Sequence, residues 1–456
     1  MTGGAGERAW SWFLSRAALP AGDVLFGQRM IRRLRFLECA QWWDRERLLA
    51  TRDAAVRALV RTAYHEVPFY RDLMDGAGVA PAEIRGAADL HRIPVVTKAD
   101  LLAGYPDRTT RETGFRTAEW RTSGSTGTNF RVRTDTQTVG WHRASFLLAL
   151  EWAGWRMGER HLQTGMTLNR TPEKRLKDAL LRCHYFSAFD LRDESLDRAL
   201  DLLDRHEIRH LWGYPGSLFQ LARRAAERGW SSPLRTVITW GDNLYPAFRA
   251  QMERTFGTRV TDTYGCAEGM QISAQCGEGT YHVHSLDVVV DYTDDQGNPV
   301  PAGTPGNIVL TRLHPGPMPL IRYRVGDVGI AGPEAPCPCG RGFERMASIQ
   351  GRDTDHITTP DGNRLIVHFF TGILEHVTEI ESFQVVQDLP DAIRLRVVPA
   401  SGIGLDEEAR IRSLLWEKGA QSLRIDIEVV DEIPLTAGGK RRFVINNLRP
   451  PASSGV

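Results

Sequence analysis

The sequence carries almost no excess of either charge: 57 Lys and Arg stand against 56 Asp and Glu in 456 residues, a net of +1. That removes the electrostatic footprint that nucleic-acid binding requires, and no nucleic-acid partner is expected. Long apolar runs are also missing. The nearest approach, Ala9 to Phe26, is interrupted by Arg16, Pro20 and Asp23, which spoils both a signal-peptide core and a membrane span. It reads as a surface-packed helix, so a cytoplasmic protein with no membrane partner is expected. Six cysteines are too few for a disulfide scaffold in a chain this long. Internal repeats and low-complexity tracts are absent as well.

What is present suits a globular protein with a sizeable core, 42% hydrophobic and 25% charged, and too long for one typical domain. The first hundred residues read mostly as helix, with Leu48, Leu49, Val56, Leu59, Val60 and Ala63 at helical spacing. The middle alternates. Leu196 to Ile208 and Leu218 to Arg228 read as helices, His210 to Gly213 and Thr236 to Trp240 as short buried strands. Such alternation predicts an α/β fold with mixed, mostly parallel sheets. After Gly351 the pattern changes. Ile393, Leu395 and Val397 alternate with arginines, Asp406 to Lys418 is amphipathic and stopped by Gly419, and Leu423 to Val429 alternates again. Strand, helix and strand predict a small α+β domain over 351–456, following a large domain over 1–350.

Five motifs carry chemistry. Arg121-Thr-Ser-Gly-Ser-Thr-Gly-Thr128 packs hydroxyls and glycines into a loop able to cradle phosphates, although no Lys follows Gly127 as a Walker A loop would require. Asp262-Thr-Tyr264-Gly265-Cys-Ala-Glu268 offers a ring for a purine and a carboxylate for Mg²⁺. Gly326-Asp327 places a carboxylate where it can accept ribose hydroxyls. Gly351-Arg352-Asp-Thr354-Asp355 sits at the composition switch, and a Gly-rich loop near the C-terminus ends in Lys440. Each, alone, is equally at home as an ordinary turn, linker or solvated lysine.

In this order, the five resemble the adenylate-forming superfamily of acyl-CoA synthetases, peptide-synthetase adenylation domains and luciferases. Val67-Pro-Phe-Tyr70, Ile93-Pro-Val-Val-Thr-Lys98, Gly213-Tyr-Pro215 and Phe383-Gln-Val-Val-Gln387 are most similar to its phenylacetate–CoA ligase family, in the branch linked to capsular polysaccharide biosynthesis. The resemblance implies a large N-terminal domain and a small mobile C-terminal one. It assigns Ser123, Gly124, Ser125, Thr126 and Gly127 to the ATP phosphates, Gly241, Asp242, Tyr264 and Gly265 to the adenine site, Asp327 to the ribose and Arg352 to the nucleotide at the domain junction. Glu268 would hold Mg²⁺ and Lys440 would bridge the carboxylate and the α-phosphate. Trp212, Gly213, Tyr214, Pro215 and Trp240 fall where the family builds its acyl pocket, and those aromatics equally suit plain core.

The implied activity is AMP-forming ligation of a carboxylic acid, preferably aryl or arylalkanoic, to a thiol of CoA or a carrier protein. An amine acceptor or a nucleotide binder without turnover are the alternatives, and a homodimer is compatible with the family. Two departures stand out. Ala267 replaces the usual Thr or Ser before Glu268, and Thr354-Asp355 replaces two acidic residues at the junction, leaving the pivot open between them.

Cys276-x₅-His282 and Cys337-Pro-Cys339 offer three thiols and an imidazole, a set for a closed, structural Zn²⁺ site. His284 is an alternative to His282. Relatives carry a similar Cys-Pro-Cys-Gly-Arg, some with zinc. A zinc-dependent catalyst would need an open position that this set does not leave.

Overall fold

The computed structural model describes residues 5–122, 130–165, 168, 170–188, 190–352, 356–361, 364–374, 377, 379–400, 403–434 and 442–448. The chain divides into two compact units. One comprises Met1–Gly241, Met252–Val325 and Gly329–Ile349, the other Asp242–Gln251, Gly326–Val328 and Gln350–Val456.

An eleven-stranded sheet dominates. In spatial order its strands are Val288–Thr293, Gly306–Arg312, Tyr323–Ala331, Arg345–Arg352, Tyr281–Val283, Met270–Gln275, Val260–Cys266, Thr236–Thr239, His210–Gly213, His161–Gly165 and Cys183–Ser187. The last five form a parallel run, connected by helices Pro172–Leu180, Asp193–Arg205, Pro215–Glu227 and Pro246–Phe256. Crossover helices are the ordinary way to join parallel neighbours. Val260–Cys266 then pairs antiparallel with Met270–Gln275, so the sheet changes sense at the strand that ends in Tyr264-Gly265-Cys266. Crevices at such changes are where open α/β sheets place ligands.

A two-stranded hairpin, Thr117–Thr122 with Phe130–Asp135, stands apart from that sheet and brackets the Ser/Thr/Gly loop. The largest apolar core joins helix Arg45–Glu66, through Val56, Leu59, Val60 and Ala63, to Ile272, Ile308, Leu310 and Tyr323. Asp44 caps that helix, accepting from the Arg47 amide at 2.8 Å.

The smaller unit is α+β. Its larger sheet has four strands in the order Arg424–Val429, Ala392–Pro399, Ile380–Leu389 and Val444–Asn446, and His356–Thr358 pairs with Arg364–Ile366 in a second, two-stranded one. Helix Leu405–Leu415 supplies Ile411 and Leu415 to a core with Phe370, Val385, Leu395 and Phe443. Gly419 ends the helical segment at φ +133°, a conformation that side-chain-bearing residues avoid. No helix among the described residues is long and apolar enough to cross a membrane.

Candidate nucleotide site and metal centre

Glu268 occupies the turn between Val260–Cys266 and Met270–Gln275 and is only 2% exposed. A carboxylate taken that far from water requires compensation. Tyr323 supplies it by donating its hydroxyl to Oε1 at 2.7 Å, and Lys98 brings Nζ to 3.3 Å of the same oxygen. Lys98 is delivered from a distant stretch. Val96 pairs with Tyr323 alongside the strand, and Thr97 caps the short helix Lys98–Ala103 with Asp100 reciprocating. The ammonium also lies 6.0 Å from the centroid of Phe130, whose ring stacks on Tyr323 at 5.9 Å. Phe130 follows Thr128 of the Ser/Thr/Gly loop by two residues, so cation, carboxylate and phenol converge at that loop's exit.

Local backbone enforces the arrangement. Gly269 adopts φ +84°, and a Cβ there would stand 2.4 Å from the Trp120 ring, on the strand that leads into the loop. Only glycine allows the Glu268 turn to close on that strand. The neighbouring Arg322 is buried at 1%, with its guanidinium donating to the carbonyls of His91 at 2.6 Å, Ile93 at 2.8 Å and Gly297 at 2.7 Å. It rivets the Ile93–Lys98 stretch to the strand that carries Tyr323.

Tyr323→Phe is expected to lower stability by about 1.5–3 kcal/mol, the range for a hydrogen bond to a buried charged group. Urea unfolding would measure it. An unchanged midpoint would show that the hydroxyl contributes nothing to holding Glu268.

The other sequence-derived residues are placed as follows. Tyr264 is half-buried beside a bulge that falls between it and Gly265. Gly241 has φ +74°, and a Cβ there would meet the Tyr214 ring at 2.9 Å, so the two packed motifs need glycine at this position. Asp242 turns its Oδ1 back onto the Asn243 amide at 2.8 Å. Asp327 follows Gly326, which has φ +92°, on the strand Tyr323–Ala331. Trp212 is 4% exposed and stacked on His161 at 3.8 Å, whereas Tyr214 and Trp240 are half-buried. Gly213 ends its strand, and Pro215 opens the following helix. Ser123 to Gly127, Thr354, Asp355 and Lys440 lie outside the described residues, as does the side chain of Arg352.

From the sequence, neither Lys98 nor Tyr323 has an assigned role. Nothing in the local sequence marks them as partners of Glu268, because the pairing is made by the sheet.

The cysteine cluster assembles at the other end of Met270–Gln275. Cys276 follows that strand, His282 lies on Tyr281–Val283, and Cys337 and Cys339 arrive on the loop before Arg345–Arg352. The four ligand atoms lie within 4.8 Å of one another. Cys276 Sγ and Cys337 Sγ are 3.9 Å apart, and Cys339 Sγ is 3.3 Å from His282 Nε2. A tetrahedral zinc set has edges of about 3.8 Å between sulfurs and about 3.5 Å between sulfur and nitrogen, so the donors fit that ion. His282 Nδ1 lies 3.1 Å from the Phe343 carbonyl; donating there leaves Nε2 to face the thiols, the usual second-sphere arrangement of a metal-bound imidazole. Burial lowers the His282 pKa to about 4, keeping the ring neutral as a ligand must be. His284 is elsewhere, stacked on Trp152 at 4.9 Å.

Comparisons with known proteins follow the same division. Residues 181–315 match the AMP-binding enzyme model, and residues 357–447 match the CapK C-terminal domain. A phenylacetate–coenzyme A ligase of Thermus thermophilus is 28% identical over 384 residues, 81% of each chain. Protein CapK of Staphylococcus aureus is 22% identical, covering 84% of this chain and 85% of its own. Among solved structures, a 2-hydroxyisobutyryl-CoA ligase in its postadenylation state superposes with a TM-score of 0.71 at 20% identity, covering 90% of this chain and 91% of that one. With relatives that span most of the chain and models that match in both of its parts, the protein belongs to the adenylate-forming superfamily, in the branch of phenylacetate–coenzyme A ligases and CapK.

Proposed function

We propose that this protein is an AMP-forming acid–CoA ligase. ATP and a carboxylic acid would give an acyl-adenylate and pyrophosphate, and the acyl group would then pass to the CoA thiol with release of AMP. The observation that carries this is the similarity to a phenylacetate–coenzyme A ligase across 81% of both chains. CoA is preferred to a carrier protein or an amine because the curated ligases that match name it. An aryl or arylalkanoic acid is our reading of the substrate, supported by the half-buried Tyr214 and Trp240. We take the domains as 1–350 for nucleotide and acid and 351–456 for the mobile part, in the cytoplasm.

In this reading Ser123 to Gly127 hold the phosphates, Gly241, Asp242, Tyr264 and Gly265 the adenine, Asp327 the ribose and Arg352 the nucleotide at the junction. Glu268 is the carboxylate that would hold Mg²⁺, whose charge offsets that of the phosphates. Lys98 and Tyr323 orient Glu268 and balance its burial. Lys440 arrives with the small domain to stabilise the charge that builds at the α-phosphorus. Cys276, His282, Cys337 and Cys339 would hold a structural Zn²⁺.

Acid-dependent exchange of labelled pyrophosphate into ATP tests the first half-reaction, with a panel of aryl and aliphatic acids. Exchange with an arylalkanoic acid, followed by thioester formation when CoA is added, is the expected result. Adenylation that persists while CoA is left untouched would overturn the acceptor. Absence of ATP binding would overturn the reading itself.

A further inference from the structure

The N-terminal helical run, Ala5–Phe13, Leu14–Ala18 and Leu19–Phe26, is apolar on two faces. The inner face is used. Leu14 is buried, with Trp10, Ala18 and Leu19 beside it, against Trp155, Leu180 and Leu181, and Trp10 Nε1 donates to the Leu180 carbonyl at 3.1 Å. The outer face carries Trp12 and Phe13, and the run ends in a crest of Val24, Leu25 and Phe26, the first two 86% and 78% exposed. A helix apolar all round is ordinarily buried all round, so the outer face lacks a covering.

The surroundings of that crest indicate what covers it. Arg16, Arg29, Arg32 and Arg35 are all exposed, and among the described residues none pairs with a carboxylate. Arg35 reaches the Ser15 carbonyl at 3.4 Å, which ties helix Met30–Ala40 to the run, and Arg29 and Arg32 follow the crest within six residues of Phe26. Asp23, the acid within this stretch, is occupied by the Ile31 amide. A second copy docking face to face would set arginine against arginine, as an isologous contact must. An exposed apolar tip in a stretch whose exposed arginines meet no carboxylate among the described residues matches instead an anionic lipid surface, which takes the apolar side chains among its acyl chains and the guanidinium groups at its headgroups.

We propose that residues 12–35 form a peripheral membrane-binding element that docks the protein on anionic lipid. This departs from the expectation of no membrane partner, which rested on the lack of a spanning segment. An interfacial helix needs none. The inference is independent of the proposed ligase activity.

The test is sedimentation of the full chain with vesicles of phosphatidylcholine alone or of equal parts phosphatidylcholine and phosphatidylserine. The expected result is co-sedimentation with the anionic vesicles only, reversed by high salt. Val24→Ser, Leu25→Ser and Phe26→Ser combined should abolish it. Each neutralised arginine should weaken partitioning roughly fivefold, measured with Arg29→Gln and Arg32→Gln. All these side chains are exposed, and an unchanged circular dichroism spectrum would confirm folding. Wild-type protein that stays in solution with both vesicle types would overturn the proposal. So would a triple variant that binds like wild type, or a dimer in light scattering that the triple variant converts to monomer.

Discussion

Cys337→Ser is expected to remove about one zinc ion per chain and to lower the melting temperature by about 10 °C or more. Three sulfurs and one imidazole nitrogen converge from three separate segments, and two of the contacts, at 3.9 and 3.3 Å, are edges of a tetrahedron sized for zinc. The turns that present the thiols are closed by their own backbone. The Gly279 amide donates to the Cys276 carbonyl at 2.8 Å and the Gly340 amide to that of Cys337 at 2.9 Å. Burial raises the Cys276 thiol to about 11, so without a metal that thiol is packed against Cys337 with little to gain. A bound cation would deprotonate them and convert the contact into a clamp between Tyr281–Val283 and the loop before Arg345. If the cluster were only a patch of core, the serine would cost about 1 kcal/mol and metal analysis of the wild type would find nothing. Cys183→Ser, at a cysteine far from this cluster in the sequence, is the control and should leave zinc content unchanged. A wild-type protein purified under mild conditions without zinc would sink the assignment.

The candidate site was legible only as motifs that recur in order along the chain, and the part that the motifs do not show has a physical reason. Glu268 could be read from its motif. Its partners could not, because Tyr323 lies 55 residues away and Lys98 on an earlier segment, and only strand pairing joins them. The choice between His282 and His284 was equally closed to sequence: both point to one side of an extended segment, and only the pairing of His282 with Ala274 and Arg345 sends it to the thiols. Two strands of the small unit, Ala392–Pro399 and Arg424–Val429, were read to within a few residues, since Ala392–Pro399 has one face to the core and alternates. Gly306–Arg312 is buried on both faces and carries no alternation, so it leaves no mark of the antiparallel half of the large sheet, whereas Met270–Gln275 alternates apolar and polar residues although both of its faces are buried. The N-terminal helix shows the reverse case. Its apolar residues were visible, but which of them lack a covering depended on where Trp10 and Leu14 dock.

Lys440→Ala is expected to lower acid-dependent pyrophosphate exchange by about 100- to 1000-fold, the effect of removing one preorganised donor from a charge-building transition state. ATP binding should change by no more than a few-fold, because the phosphates and adenine are assigned to the large domain. The lysine lies outside the described residues, but the chain just past it is anchored. Gln384 donates its side-chain amide to the Arg442 carbonyl at 2.9 Å, the Val385 amide donates to the Phe443 carbonyl at 2.7 Å, and Val444–Asn446 then joins the small sheet as a parallel strand. In the proposed reaction the small domain brings the lysine in for adenylation and takes it away for thioester formation, which needs no cation at a phosphorus already substituted. Thioester formation from preformed acyl-adenylate should accordingly survive the substitution. Lys418, exposed and outside the proposed site, is the control, and Lys418→Ala should leave both half-reactions intact. Loss of both half-reactions in Lys440→Ala would point to a structural role for the lysine instead. Retention of full exchange would remove Lys440 from the chemistry while leaving the ligase reading in place.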